Sequence, residues 1–341
     1  MKKINFGIVG FGKIGPRHKE EIEKNKHCRL IAICDNDHNR LDGINNSDIE
    51  LYTDYREMLK DANIDVVSIC TPNYLHATMT IDSLEAGKHV ICEKPMALTT
   101  KDCEKMIATQ IKCKKKLFVV KQNRYNPPVQ AVKKLLVENR LSRLYLIAVN
   151  CYWNRDKEYF AESTWKGDKE KDGGTLFTQF SHFIDLIYWF AGEVASVFAY
   201  VENYNHQYIE IEDTGVVMLK FKSGAMGMIN FTNCAYQKNM EGSIALFGEN
   251  GSVKIGGEYL NKLEYQMIKD YTIKTLPKCR RANNYGTYKG SMSNHDKVYE
   301  NVVDVLMNNG NIAVSGIDGI ESIKIIETIY KSAEINKELI M

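Results

Sequence analysis

The stretch GIVGFGKIGPRH, residues 7–18, constrains what this chain can fold into more than any other. It sets Gly10, Gly12 and Gly15 in a G-x-G-x-x-G spacing at the end of the apolar run INFGIVG. A second apolar run, RLIAICD, ends in Asp35, 20 residues after Gly15. A strand, a glycine turn, a helix and a strand ending in an acid describe the first unit of a dinucleotide-binding sheet. Gly10 permits the tight turn, Gly12 lets the backbone approach a pyrophosphate, and Gly15 lets the helix lie close to the strand. Lys13 and Ile14 complete the loop. The helix start offers free N–H groups and the positive end of its dipole to the phosphates. Asp35 is set to accept from the adenosine ribose hydroxyls and to repel a 2′-phosphate. No arginine occurs in DNDHN, residues 35–39, so NAD is expected rather than NADP.

The same rhythm continues to about residue 123. Strand-like runs stand at 4–10, 29–35, 65–72, 88–95 and 115–123, and helix-like runs at 14–25, 55–60, 74–87 and 100–113. The strands are short, continuous and rich in Val and Ile, as strands covered on both faces are. The alternation predicts a doubly wound, mostly parallel sheet of Rossmann type over residues 1–123. Ligands of such sheets bind at strand C-termini. Thr71, Pro72 and Asn73 end one strand and are expected to border the cofactor, with His76 either touching it or packing. Glu93, Lys94 and Pro95 end the next. Pro95 keeps Lys94 out of a helical conformation, and a partly desolvated lysine beside a nicotinamide can accept a hydroxyl proton.

Beyond 123 the pattern changes. A helix is expected after Pro127-Pro128, a strand at 143–153, and one helix through TLFTQFSHFIDLIYWFAG, ending at Gly192. Five strand-like runs follow between 195 and 256, then a polar stretch at 260–293, then helices at 294–309 and 317–335. Residues 124–341 therefore read as an α+β domain with an open, mostly antiparallel sheet.

Lys and Arg total 45 against 43 Asp and Glu, which excludes the basic excess of a nucleic-acid binder. No apolar run reaches the roughly 18 residues of a membrane span. Nine cysteines with no CxxC pair read as reduced, buried thiols of a cytoplasmic protein. No metal is expected, because His and carboxylates never cluster at ligand spacing along the sequence.

The glycine loop, TPNYLH, EKP and a later GG…H…D together resemble the glucose-fructose oxidoreductase, inositol dehydrogenase and MocA family over nearly the whole chain. That resemblance implies an NAD-dependent oxidoreductase acting on a CH–OH group, with Glu93 and Lys94 at the nicotinamide and Lys94 also at the substrate. It implies a homo-oligomer, a dimer or tetramer formed through the second-domain sheet. VKQNRYNPPVQAVKK, YWNRDKEYF, TWKGD and DGGTLFTQFSHFIDL resemble the branch that oxidises C3 of UDP-linked 2-acetamido sugars. That branch serves surface-polysaccharide synthesis. Its preferred substrate would be the N-acetylglucosaminuronate, with UDP-N-acetylglucosamine, another sugar or inositol as alternatives. Some relatives reoxidise bound NADH with 2-oxoglutarate. A non-catalytic NAD(H)-binding regulator is the reading of another class.

Lys94 and His182 are the expected catalytic pair, Lys94 accepting the hydroxyl proton and His182 assisting. Many relatives carry Asp four residues before that histidine, where this chain has Thr178. Gln179 is expected on the same helical face as His182. Gln122 is expected at the cofactor. Asn123, Arg124, Tyr125, Arg155, Trp165, Thr178, Gln179 and His182 are expected at the substrate, the arginines gripping its diphosphate and carboxylate.

Overall fold

A computed structural model describes residues 3–44, 46–286 and 288–341. The chain divides into two compact units. One comprises the residues up to Lys121 together with His295–Ile323, the other Gln122–Asn294 together with Lys324–Met341. A single division at residue 123 therefore misses the return of the 295–323 segment to the first unit.

In the first unit the strands are β1 (Ile4–Val9), β2 (Cys28–Cys34), β3 (Glu50–Tyr52), β4 (Val66–Ile69), β5 (His89–Cys92) and β6 (Leu117–Val119). They lie in the order β3-β2-β1-β4-β5-β6, and every pairing is parallel. Phe6, Ile8, Ile33, Val66, Val67, Ile69, Val90 and Ile91 are fully buried, which is why these runs show no polar alternation. The helices are α1 (Gly15–Lys24), α2 (Tyr55–Leu59), α3 (His76–Glu85) and α4 (Thr100–Lys112). Asp54 caps α2 and Thr99 caps α4 by accepting backbone N–H bonds. Helix α1 has no side-chain cap and no acid in its first turn. The sequence pattern missed β3, whose three residues are too few to carry a period.

The second unit holds β7 (Leu144–Tyr152), β8 (Val194–Glu202), β9 (Thr214–Phe221), β10 (Met226–Thr232), β11 (Glu241–Gly248), β12 (Gly251–Gly256) and β13 (Lys262–Ile268). A hairpin of β14 (Ala282–Asn284) and β15 (Lys289–Met292) stands apart, and β16 (Leu339–Ile340) closes the sheet edge. The eight-stranded order is β13-β12-β11-β7-β10-β9-β8-β16. Only β7 and β10 pair in parallel among the described pairings. The polar stretch at 260–293 thus contributes three strands that its composition concealed.

Helices of this unit are α5 (Pro127–Val137), α6 (Lys157–Ala161), α7 (Lys169–Asp172), α8 (Thr175–Thr178) and α9 (Ser181–Ala191). Phe183, Ile184, Leu186 and Ile187 of α9 are fully buried. The chain ends with α10 (His295–Asn308) and α11 (Gly316–Ile335). No described helix is long and apolar enough to cross a membrane.

The single helix expected through residues 175–191 is two. It breaks at Phe180, whose backbone leaves the helical region (φ −112°, ψ 7°). The Phe180 ring packs against Trp153, Phe183 and Phe231. Gln179 and His182 consequently do not share one helical face.

Candidate functional site

Each unit assembles its own set of polar side chains. In the first, the glycines are required by contact. Gly10 has φ +91°, and a Cβ there would stand 2.7 Å from the Cys70 backbone. A Cβ on Gly15 would stand 2.5 Å from the Gly10 carbonyl oxygen. Glycine alone allows α1 to start this close to β1, with its free N–H groups at the turn. Asp35 is buried at the end of β2. Its Oδ2 accepts the Phe11 N–H at 2.6 Å and its Oδ1 the Asp37 N–H at 2.9 Å.

Arg40, one residue beyond DNDHN, brings its guanidinium 3.4 Å from the Asp35 carboxylate. It also lies 3.3 Å from where a Gly12 Cβ would stand. An arginine is therefore present beside the acid after all, held by Asp35 and by Asp37 at 3.4 Å.

At the ends of β4 and β5, Thr71 keeps a buried hydroxyl with no partner among the described residues. His76 is buried, with Nδ1 2.6 Å from the Pro95 carbonyl and Nε2 2.9 Å from the Thr71 carbonyl. Burial lowers its pKa against the pull of the two carbonyls, and the neutral ring donates to only one of them while packing between the TPN and EKP segments. That is the packing alternative for His76. Asn73 is buried and Lys94 half-buried. The uncapped helix start, the glycine cradle, the acid on β2 and the orphaned Thr71 hydroxyl fit a dinucleotide. Lys13 is exposed and Ile14 half-buried at the mouth of that turn.

In the second unit, Gln122 joins His182. Its Nε2 donates to Ser291 Oγ at 2.9 Å and lies 3.2 Å from His182 Nε2. Ser291 Oγ is 3.3 Å from the same ring nitrogen. With the amide N–H donating, His182 Nε2 accepts and the neutral ring carries its proton on Nδ1. Gln122 Oε1, Asn123 Oδ1 and Ser181 Oγ are buried without partners among the described residues. Buried polar atoms are normally paired, so this group offers hydrogen-bond capacity to a ligand.

Arg124 does not offer its charge. Its guanidinium forms two 2.8 Å bonds to Asp185 and stacks on Trp189 at 5.1 Å. Both partners of this ion pair are buried. Asp185 thus holds Arg124 through both of its oxygens. Tyr125 and Trp165 are half-buried. Trp153 is a packing residue, 3% exposed against Phe180, Phe183 and Tyr259.

Arg155 is the opposite case. It is 2% exposed and forms no salt bridge with a described carboxylate. Nε donates to Gln179 Oε1 at 2.8 Å, and Nη1 donates to the Asn154 carbonyl and to Asn239 Oδ1. The Trp153, Tyr159 and Tyr288 rings lie 5.0, 5.2 and 5.1 Å from its guanidinium carbon. Burial lowers its pKa, but a guanidinium stays charged in proteins. Rings and neutral amides stabilise this cation without neutralising it.

Gln179 serves Arg155, and its amide also donates to the Tyr159 hydroxyl. Thr178 donates to Asp172, whose other oxygen accepts the Gly167 N–H at 2.9 Å. Burial pushes the Asp172 carboxyl up to about 6. An acid absent from position 178 is therefore present at 172, reached through the Thr178 hydroxyl. Nothing in the linear spacing signals it, because the chain reverses at Gly173 and Gly174, both with positive φ. Ser291 was equally invisible inside the polar stretch.

Spacing along the sequence also failed to show two clusters. His18, Glu93 and His295 meet in the first unit, and His206, Asp213 and Cys234 in the second. In the latter, Asp213 also accepts N–H bonds from Tyr204, Asn205 and His206, which makes it a loop tie.

The profile of an oxidoreductase family with an NAD-binding Rossmann fold matches residues 4–121, and that of the family's C-terminal alpha/beta domain matches 133–340. The fold and the glycine turn define an NAD-binding oxidoreductase. The chain belongs to the glucose-fructose oxidoreductase, inositol dehydrogenase and MocA family. It is 30% identical over 286 residues to the uncharacterized oxidoreductase YrbE of Bacillus subtilis, covering 81% of this chain and 80% of that one. Among solved structures, the WlbA dehydrogenase of Bordetella pertussis, in complex with NADH and UDP-GlcNAcA, is similar with a TM-score of 0.90 at 34% identity. That match covers 100% of this chain and 99% of the other. WlbA of Chromobacterium violaceum, with the same two ligands, also gives 0.90 and 34%, covering 100% and 96%.

Proposed function

We propose that this protein oxidises the C3 hydroxyl of a UDP-linked 2-acetamido sugar with NAD, and that the sugar is the uronate, UDP-GlcNAcA. The 3-keto product would serve surface-polysaccharide synthesis. The observation on this chain that supports the uronate is Arg155, a buried guanidinium that no described carboxylate neutralises. A uronate carboxylate is the planar anion such a fork matches. UDP-N-acetylglucosamine, with a neutral CH2OH at that carbon, leaves the charge unmet. The two WlbA structures, similar over the whole chain, support the same substrate class.

The residues take these roles. Lys94 accepts the hydroxyl proton. His182, with Gln122, Asn123 and Ser181 around it, bonds the sugar hydroxyls. Arg155 holds the carboxylate, kept in place by Gln179 and Tyr159. NAD, when bound, takes the hydride from the carbinol carbon. Gly10, Gly12 and Gly15 shape its cradle and Asp35 takes its ribose. The route by which NADH is reoxidised, including by 2-oxoglutarate, belongs to the same proposal.

The open face of the eight-stranded sheet exposes Tyr200, Val216, Met218, Met226, Phe247 and Tyr265. A contiguous apolar face of this kind marks an interface, and we assign it to a second copy of the chain. The nine free cysteines fit a reducing, cytoplasmic setting.

Purified protein offered UDP-GlcNAcA, UDP-N-acetylglucosamine, glucose and myo-inositol tests the reading by NADH formation, with and without 2-oxoglutarate. Turnover of UDP-GlcNAcA well above the others is expected. Turnover of inositol alone would overturn it.

A further inference from the structure

The first unit buries a polar cluster that the sugar chemistry leaves unused. Glu93 Oε1 accepts from His18 Nε2 at 2.9 Å and from His295 Nε2 at 3.1 Å. Glu93 Oε2 accepts the backbone N–H of Lys94 at 3.0 Å. His18 Nδ1 lies 2.8 Å from the Tyr299 hydroxyl, which lies 3.0 Å from Ser68 Oγ. All five side chains outside Lys94 are buried.

The donors and acceptors assign themselves. An ionised Glu93 can only accept, so each imidazole presents Nε2–H. His18 Nδ1 pairs with the Tyr299 hydroxyl, which pairs in turn with Ser68 Oγ. His295 Nδ1 is buried and has no partner among the described residues. Burial works to raise the Glu93 carboxyl, but bonds from His18 and His295 outweigh it and hold the group well below the usual range. Burial lowers His295, opposed by Glu93 and assisted by His18 and Arg17. Cys70 and Cys92 also face the carboxylate, both thiols pushed up by burial and by Glu93 itself, as does His76, whose pKa burial lowers against the pull of Glu93.

The cluster spans four elements. His18 comes from α1, the helix of the glycine turn; Ser68 from β4; Glu93 from the end of β5; His295 and Tyr299 from α10. His295 and Tyr299 are one turn apart on α10, so one helix supplies a partner to Glu93 and another to His18.

We propose that Glu93 is a positioning residue. Gripped by His18 and His295 through one oxygen, it holds the Lys94 backbone through the other and so fixes where the Lys94 amine points. The proposal rests on Lys94 being the proton acceptor. The same donor set, two His and one Glu, is also one that zinc accepts. The 2.9 and 3.1 Å separations and the Lys94 bond favour a hydrogen-bonded carboxylate.

The test is the His295→Leu variant beside His295→Gln, which returns an N–H donor near Nε2. With Leu, kcat should fall at least about tenfold while KM for UDP-GlcNAcA and the Kd for NAD change less than about threefold, the split of a misplaced reacting group. Glu93, having lost a donor, should protonate at higher pH, so the acidic limb of kcat moves upward. Gln should restore most of both. His18→Asn, which withdraws the other Nε2 donor, repeats the measurement if Leu prevents folding. A second readout needs no sugar. The pH dependence of Lys94 acylation, followed by mass spectrometry, should differ between wild type and His295→Leu. If wild type oxidises no sugar yet this difference appears, the functional reading fails and the clamp stands. Unchanged kcat, pH limb and Lys94 reactivity would overturn the clamp. Stoichiometric metal in the wild type that His295→Leu loses would overturn it too.

Discussion

Arg124 and Asp185 meet through two parallel 2.8 Å bonds in the buried interior of the second unit. The pair satisfies both charges and removes Arg124 from the cations available to a ligand. Breaking a buried pair strands a charge and costs about 3–5 kcal/mol. Asp185→Ala should lose stability of that order in urea denaturation. The double variant Arg124→Met with Asp185→Leu should regain most of it, since apolar residues of similar size often replace such pairs at little cost. Equal losses in the single and double variants would contradict this account of Arg124.

Arg155 predicts a different pattern. Arg155→Lys keeps the charge but loses the fork and its contact with Gln179. KM for UDP-GlcNAcA should rise about 10–100-fold, the value of one charge-assisted bond or two. The slow turnover of UDP-N-acetylglucosamine should barely change. Steady-state kinetics on both sugars reads the difference, and equal losses on both would remove Arg155 from carboxylate recognition.

Asp35 and Arg40 make a prediction about the cofactor. The acid occupies the arginine at 3.4 Å and repels a 2′-phosphate. Asp35→Ser should weaken NAD and strengthen NADP, each by about tenfold, because a freed arginine beside this strand end accommodates the extra phosphate. Titration of nicotinamide fluorescence measures both constants. An Asp35→Ser variant still blind to NADP would show that Arg40 does not reach it.

Glu212 carries a pH signature. It is buried, accepts from the Tyr330 hydroxyl at 2.6 Å, and burial pushes its carboxyl up to about 8. The unfolded chain ionises this group near pH 4.5, so between there and 8 the folded state holds a proton that the unfolded state has lost. Stability must therefore fall as pH rises through that window, by about 1.4 kcal/mol per unit at most. Glu212→Gln should flatten this part of the profile and be the more stable protein at pH 8. Parallel wild-type and variant profiles in urea would show that Glu212 is ionised in the fold.

The legible parts of the chain were those ruled by local geometry. Gly10, Gly15 and Asp35 could be read because a turn, a close approach and a strand end each demand one residue type at one spacing. The parallel sheet could be read because strands buried on both faces lose their polar positions. What could not be read depends on where the chain returns. Asp172 reaches Thr178 only after the turn at Gly173 and Gly174. His295 reaches Glu93 across 202 residues. The helix break at Phe180 sits inside an apolar run whose period gives no sign of it. Arg155 and Arg124 look alike in the sequence, and only their partners, an amide for one and a carboxylate for the other, separate them.

The central claim is that hydride leaves C3 of a UDP-linked uronate for NAD with Lys94 taking the proton. UDP-GlcNAcA deuterated at C3, mixed with excess enzyme and NAD, tests it most directly. Mass spectrometry should find the deuterium in the reduced nicotinamide and a 3-keto sugar lacking it, with both products lost in a Lys94→Ala variant saturated with NAD. Deuterium retained on the sugar while NADH forms, or undiminished transfer in Lys94→Ala, would contradict it.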